Sequence, residues 1–242
     1  MNPSIPMKQI SLTLLTLVQF VCSAFAAEDL PALHKNDVVI FQGDSITDGG
    51  RAKTGNDYNH TMGQSYAFIL SAQIGALYPE RNLTFLNRGI SGNRVTELAA
   101  RWKTDALDLK PNVLSILVGI NDLSRLTAEQ YEQAYDQLLA DTIAALPNTK
   151  IILGEPFLLP VGKHKDNYAA EMVKLSEKQA IVAKLAAKYH LPLVSYQKAF
   201  DEACQKAPAD HWSWDGVHPH YAGHALMAQE WWKTVNQFWP TE

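Results

Sequence analysis

The sequence predicts an α/β fold: a parallel sheet with helices on both faces, in one domain. Three observations lead there. Short apolar runs alternate along the chain with longer stretches in which apolar residues recur at three- and four-residue spacing. The short runs are apolar at successive positions, which suits strands buried on both faces. No internal repeat, low-complexity tract or Pro/Gly/Ser-rich linker divides the chain.

Residues 37–42 (DVVIFQ) read as the first strand, and a long polar loop over 47–62 leads to a helix over 64–78. The second strand, 83–87 (LTFLN), precedes a helix over 95–109, and the third, 112–118 (NVLSILV), a helix over 128–146. The fourth, 150–154 (KIILG), precedes a helix over 169–189; the fifth, 191–195 (LPLVS), is followed at a distance by a last helix over 221–237. Strand and helix in this order imply parallel pairing with crossover helices. In such a sheet the loops leaving the carboxyl ends of the strands form the ligand crevice. Gly43-Asp44-Ser45 leaves the first strand there, the 87–93 turn (NRGISGN) the second, and Gly119-Ile120-Asn121-Asp122 the third.

The first 26 residues stand apart. Lys8 precedes an apolar run over 10–27, and Ala24-Phe25-Ala26 supplies the small-x-small pattern of a signal-peptidase site. The expectation is a signal peptide over 1–26, cleaved after Ala26, then a single domain over 27–242, in a secreted or periplasmic protein. The run is short for a membrane anchor, and Val21 before Cys22 is bulkier than a lipidation site wants. Loss of Lys8 takes the formal charge from −4 to −5, and with no basic run the chain is not expected to bind nucleic acid. Cleavage also leaves Cys204 as the only cysteine, so no intramolecular disulfide forms and stability must come from packing.

A serine hydroxyl attacks a carbonyl only when a base takes its proton and a third group orients that base. Ser45 sits at the crevice, and Asp215-Gly216-Val217-His218 supplies both partners: a carboxylate three residues before an imidazole, in a loop kept extended by Pro219. Asp215 at Nδ1 of His218 would leave Nε2 free to face Ser45. The oxyanion produced by attack needs preorganised donors. The main-chain N–H groups of Ser45 and Gly92 and the side-chain amide of Asn121 are the candidates.

Gly43-Asp44-Ser45-Ile46, Gly92 after Ile90-Ser91, Gly119-x-Asn121-Asp122 and Asp215-x-x-His218 together resemble the four blocks of the SGNH, or GDSL, hydrolases, in order and across nearly the whole mature chain. The resemblance implies a flavodoxin-like three-layer α/β/α sandwich with a five-stranded parallel sheet. It also implies serine esterase chemistry without metal or other cofactor, with Ser45, Gly92, Asn121 and His218 as signature residues and Asp215 completing the triad. Ser45 lacks the second glycine of a Gly-x-Ser-x-Gly elbow, which argues against the other common serine-hydrolase fold. The longer stretches GDSITDGGR, NRGISGNRVTELAARWKTDALDLKPNVLSILVGINDL and WDGVHPHYAGH look most like bacterial acetylxylan esterases and related carbohydrate deacetylases. They imply a small-molecule or polysaccharide acetyl ester as substrate. A lipid-ester or thioester hydrolase, and a silent carbohydrate-binding module on the same fold, are the competing readings.

Trp214 beside Asp215 is a candidate substrate-binding residue, whereas Trp231, Trp232 and Trp239 suit packing. Asp44 suits a brace of the turn, Asn93 and Arg94 either substrate contact or a helix start, and the 47–62 loop a wall of the substrate groove. His220 and His224 stand four apart beside His218, but no further Cys/His cluster completes a metal site. Cys204 is expected to be a buried thiol.

Overall fold

The computed structural model describes residues 30–240 apart from positions 56, 58 and 59; the expected signal peptide lies outside the described residues. Five strands form one all-parallel sheet in the order β2-β1-β3-β4-β5: β1 (Val38–Gly43), β2 (Thr84–Asn87), β3 (Val113–Leu117), β4 (Lys150–Gly154) and β5 (Leu193–Val194). This is the flavodoxin-like doubly wound order. The winding direction reverses between β1 and β3, and the crevice at their carboxyl ends is where such sheets bind ligands.

Alternation along the strands separates two cores. Val39 and Phe41 of β1 face α2 (Tyr66–Leu77), α6 (Tyr196–Ala203) and α8 (Tyr221–Phe238), packing with Tyr66, Phe200 and Trp231. Ile40 faces α3 (Val95–Asp105), α4 (Ala128–Ala145) and α5 (Tyr168–Tyr189), with Leu98, Tyr135 and Val182. Both faces of β1 and β3 are therefore dry, which is why their sequences are apolar without a period of two. Both indole N–H groups carried inside find partners, Trp231 Nε1–H donating to Ser115 (3.1 Å) and Trp102 Nε1–H to Thr142 (2.8 Å), whereas the buried Tyr135 hydroxyl has none among the described residues. Trp231 and Trp232 are buried and Trp239 half-buried against the first core.

The structure departs from the sequence reading at several places. The helix expected over 95–109 ends at Asp105, because Ala106 leaves helical dihedrals (φ −137°, ψ −65°) before a separate 3₁₀ turn, Leu107–Leu109. The fifth strand keeps only Leu193–Val194. Three short helices were not foreseen: α1 (Ser45–Asp48), α6, and α7 (Ala209–Trp212). Cys204 caps α6 and is half-buried rather than buried; burial raises its thiol pKa.

Candidate active site

β1 runs into α1 through Asp44. One oxygen of this buried carboxyl accepts the Ile46 N–H (3.0 Å), capping the turn. Its other oxygen has no partner among the described residues, and burial pushes the carboxyl up to about 7. Asp44 therefore braces the turn that carries Ser45. Ser45 begins α1, so its N–H is one of the donors a helix start leaves free.

The loop after α7 returns a chain of hydrogen bonds to Ser45. His218 Nε2 stands 2.8 Å from Ser45 Oγ, and His218 Nδ1 stands 2.7 Å from Asp215 Oδ2. Asp215 Oδ1 accepts the main-chain N–H groups of Val217 (2.9 Å) and His218 (2.7 Å). Burial alone would raise the Asp215 pKa, but these donors and the imidazole outweigh it and hold the carboxyl below its ordinary value. An ionised carboxylate only accepts, so Nδ1 carries the proton and Nε2 presents its lone pair to the Ser45 hydroxyl. The loop is itself braced. Ser213 Oγ–H donates to His218 O (2.8 Å) while accepting the Gly216 N–H (3.0 Å), and Gly216 O accepts the Leu159 N–H (2.9 Å).

Two further turns close on the same edge. After β2 the chain is tied to β1 by Arg88 N–H to Phe41 O (2.8 Å) and Ile90 N–H to Gly43 O (3.1 Å), then turns at Gly92 with φ +80°, a conformation that favours glycine. After β3, Asn121 lies in the 3₁₀ turn Ile120–Asp122 and donates one amide hydrogen to Asn93 O (3.1 Å). The adjacent Asp122 accepts the Val95 N–H (3.2 Å), joining the third block to the start of α3; burial raises its carboxyl to about 6. Among the described residues, no hydrogen bond engages the N–H of Ser45 or of Gly92.

The other candidates separate cleanly. Trp214 is 60% exposed, with its ring stacked on that of His218 (centroids 5.8 Å apart, 18° between planes). Arg94 caps α3 through Glu97, and Asn93 accepts from Arg101 Nε (2.9 Å), so both serve the helix start. His224 is buried; its Nδ1 accepts the Tyr66 N–H (3.2 Å), and burial lowers its pKa to about 4. The described part of the 47–62 loop lines a cavity of about 640 Å³ at the β2 edge with Phe68 and Phe85, and Ser45 and His218 are not in that lining. Sequence reasoning missed one buried group beside the site: Asp48, on the turn of α1 itself, is bonded to Ser91.

Comparison with known proteins shows the family and the fold. The model of the GDSL-like lipase/acylhydrolase family matches residues 41–226. An acetylxylan esterase of Geobacillus stearothermophilus is 32% identical over 219 residues, spanning 86% of this chain and 97% of that protein. The crystal structure of an acetylxylan esterase from Geobacillus stearothermophilus superposes with a TM-score of 0.75 at 30% identity, covering 84% of this chain and 96% of that one. A GDSL-like protein of Parabacteroides merdae ATCC 43184 gives a TM-score of 0.79 at 38% identity, over 84% of this chain and 97% of that one. The chain belongs to the GDSL-like lipase/acylhydrolase family and is a serine carboxylic-ester hydrolase.

Proposed function

We propose that the protein removes O-acetyl groups from plant-polysaccharide carbohydrates such as xylan, through a covalent acetyl-Ser45 intermediate. The observation that carries this reading is the unbroken hydrogen-bond chain from Ser45 through His218 to Asp215. The substrate class draws on similarity to an acetylxylan esterase along almost all of that relative. Ser45 Oγ attacks the acetyl carbonyl carbon as His218 Nε2 takes its proton, a transfer that contributes roughly 10²–10⁴ in rate. The oxyanion is met by the N–H groups of Ser45 and Gly92 and by the second amide hydrogen of Asn121. Collapse returns the proton from His218 to the departing sugar oxygen. His218 then deprotonates water, which attacks the acetyl carbon; the bond to Ser45 Oγ breaks as His218 Nε2 returns the proton to that oxygen, releasing acetic acid, which ionises to acetate.

Trp214, exposed and stacked on His218, gives a sugar ring a flat apolar face beside the scissile ester. Export, with cleavage after Ala26, would bring the enzyme to such substrates outside the cytoplasm. Acetate release from acetylated xylan, pectin, cello-oligosaccharides and sialic acid, beside hydrolysis of p-nitrophenyl acetate and of a long-chain ester, tests the reading. Acetate from xylan and preference for the short ester are expected. Preference for the long-chain ester with no acetate from any carbohydrate would replace it with a lipid-ester hydrolase.

A further inference from the structure

We propose that Asp48 is a positioning residue of the oxyanion hole: its carboxylate holds the turn that aims the Gly92 N–H at the reacting carbonyl. The inference rests on Gly92 being an oxyanion donor, as in the reading above. Asp48 ends the one-turn helix that Ser45 begins, and only 1% of its surface is exposed. Its Oδ2 accepts from both groups of Ser91, the N–H at 2.9 Å and the hydroxyl at 3.0 Å, and from Lys53 Nζ at 2.5 Å. Its Oδ1 accepts the Arg51 N–H (3.2 Å). Ser91 is thus gripped at main chain and side chain together. The peptide that carries the Gly92 N–H, next along the chain, is left only a swing about the bond between them.

The rest of the turn is clamped to α1 in the same way. Asn87 donates to Thr47 O (2.6 Å) and accepts the Gly89 N–H (2.9 Å), and Arg51 Nε–H donates to Gly89 O (2.9 Å). A Cβ at Gly89 would stand 2.3 Å from the Asp48 nitrogen, so the two segments touch backbone to backbone. Nucleophile and oxyanion turn therefore move as one body, with Asp48 as the link. Every group facing the Asp48 carboxyl is a donor: Ser91 N–H, Ser91 O–H, Lys53 Nζ–H and Arg51 N–H. Only an acceptor-only side chain satisfies them all. Burial raises the Asp48 pKa, yet Lys53 and Ser91 outweigh it and lower the value overall, keeping the carboxylate ionised at neutral pH.

Asp48→Asn turns an amide N–H against a donor at one end or the other, and tests the proposal with p-nitrophenyl acetate. A fall in kcat of at least tenfold is expected, with KM within twofold. Inactivation by a small p-nitrophenyl alkylphosphonate, whose adduct at Ser45 carries the tetrahedral oxygen, should slow by a similar factor. Loss of packing alone would not slow phosphonylation of the folded protein, with melting curves identifying the folded fraction. A folded Asp48→Asn variant with kcat within threefold of wild type, or with unchanged phosphonylation, overturns the proposal. Should that variant fail to fold, Ser91→Ala decides: a kcat reduced threefold or more with KM unchanged supports the proposal, and wild-type kcat overturns it. Ser45→Ala separates this inference from the reading beneath it. Activity surviving there discards the nucleophile assignment, whereas activity abolished there but retained in Asp48→Asn discards only the role of Asp48.

Discussion

Asn121→Ala separates a catalytic amide from a structural one by comparing two costs. Among the described residues the side chain makes one hydrogen bond, from Nδ2 to Asn93 O at 3.1 Å, and both residues are half-buried. Its removal frees a carbonyl that water can reach, so the stability cost is about 1 kcal/mol. For a domain of this size that lowers Tm by roughly 2–4 °C. The second amide hydrogen is the one assigned to the oxyanion. Loss of one such donor from a preorganised hole costs about 3–4 kcal/mol, or roughly 10²–10³ in kcat. A thermal melt reads the first cost; initial rates with p-nitrophenyl acetate, measured well below the melting transition, read the second. A rate loss below about fivefold together with a Tm fall beyond 5 °C would refute the reasoning and make Asn121 a structural residue.

Asp215→Asn should lower kcat by roughly 10⁴ without unfolding the loop. The amide oxygen would keep the two main-chain donors that now bind Oδ1. The NH₂ group would then face Nδ1, forcing the proton onto Nε2 and removing the lone pair aimed at Ser45; steady-state kinetics beside a melting curve measures both effects. Trp214→Ala should raise KM for acetylated xylo-oligosaccharides about threefold to tenfold, in keeping with an aromatic contact of ~1 kcal/mol. KM for p-nitrophenyl acetate should stay within twofold, and equal effects on both substrates would remove Trp214 from sugar binding. His224→Asn tests pH-dependent stability. With a folded pKa of about 4 against 6.5, His224 stays neutral in the folded protein while the unfolded chain takes up a proton below pH 6.5. Stability is therefore lost as pH falls through that window, by about 2 kcal/mol from pH 6.5 to 4.5. Urea denaturation at pH 7 and 4.5 should show the variant, which keeps an acceptor for the Tyr66 N–H, losing less than wild type by that amount. The buried acids Asp44 and Asp122 act in the opposite sense but are common to both proteins.

The parts of the fold legible in the sequence are those decided by local pattern. β1, β3 and β4 announce themselves because strands buried on both faces carry apolar residues at successive positions, and Gly43-Asp44-Ser45 and Asp215-x-x-His218 are short enough to be seen whole. β5 shrinks to two residues because Pro192 has no N–H to give the ladder, although its carbonyl still accepts from Leu153. α6 was not foreseen, since its buried Tyr196 and Phe200 pair with Phe157 from another part of the chain. The same limit hid the supports of the site. Asp48 reads as one polar residue of a polar loop, and its partner Ser91 lies 43 residues away. His224 resembles a metal ligand next to His220 until its contact with Tyr66, 158 residues distant, is seen. Contacts of that range leave no spacing for a sequence to display.

The central claim is that Ser45, activated by His218, becomes covalently acylated. Mass spectrometry of the protein quenched during turnover, or after phosphonate treatment, tests it most directly. The adduct is expected on the peptide containing Ser45, absent from Ser45→Ala and strongly slowed in a His218→Ala variant. Full turnover with no adduct at Ser45, or labelling of an unrelated residue that tracks the loss of activity, would contradict the account.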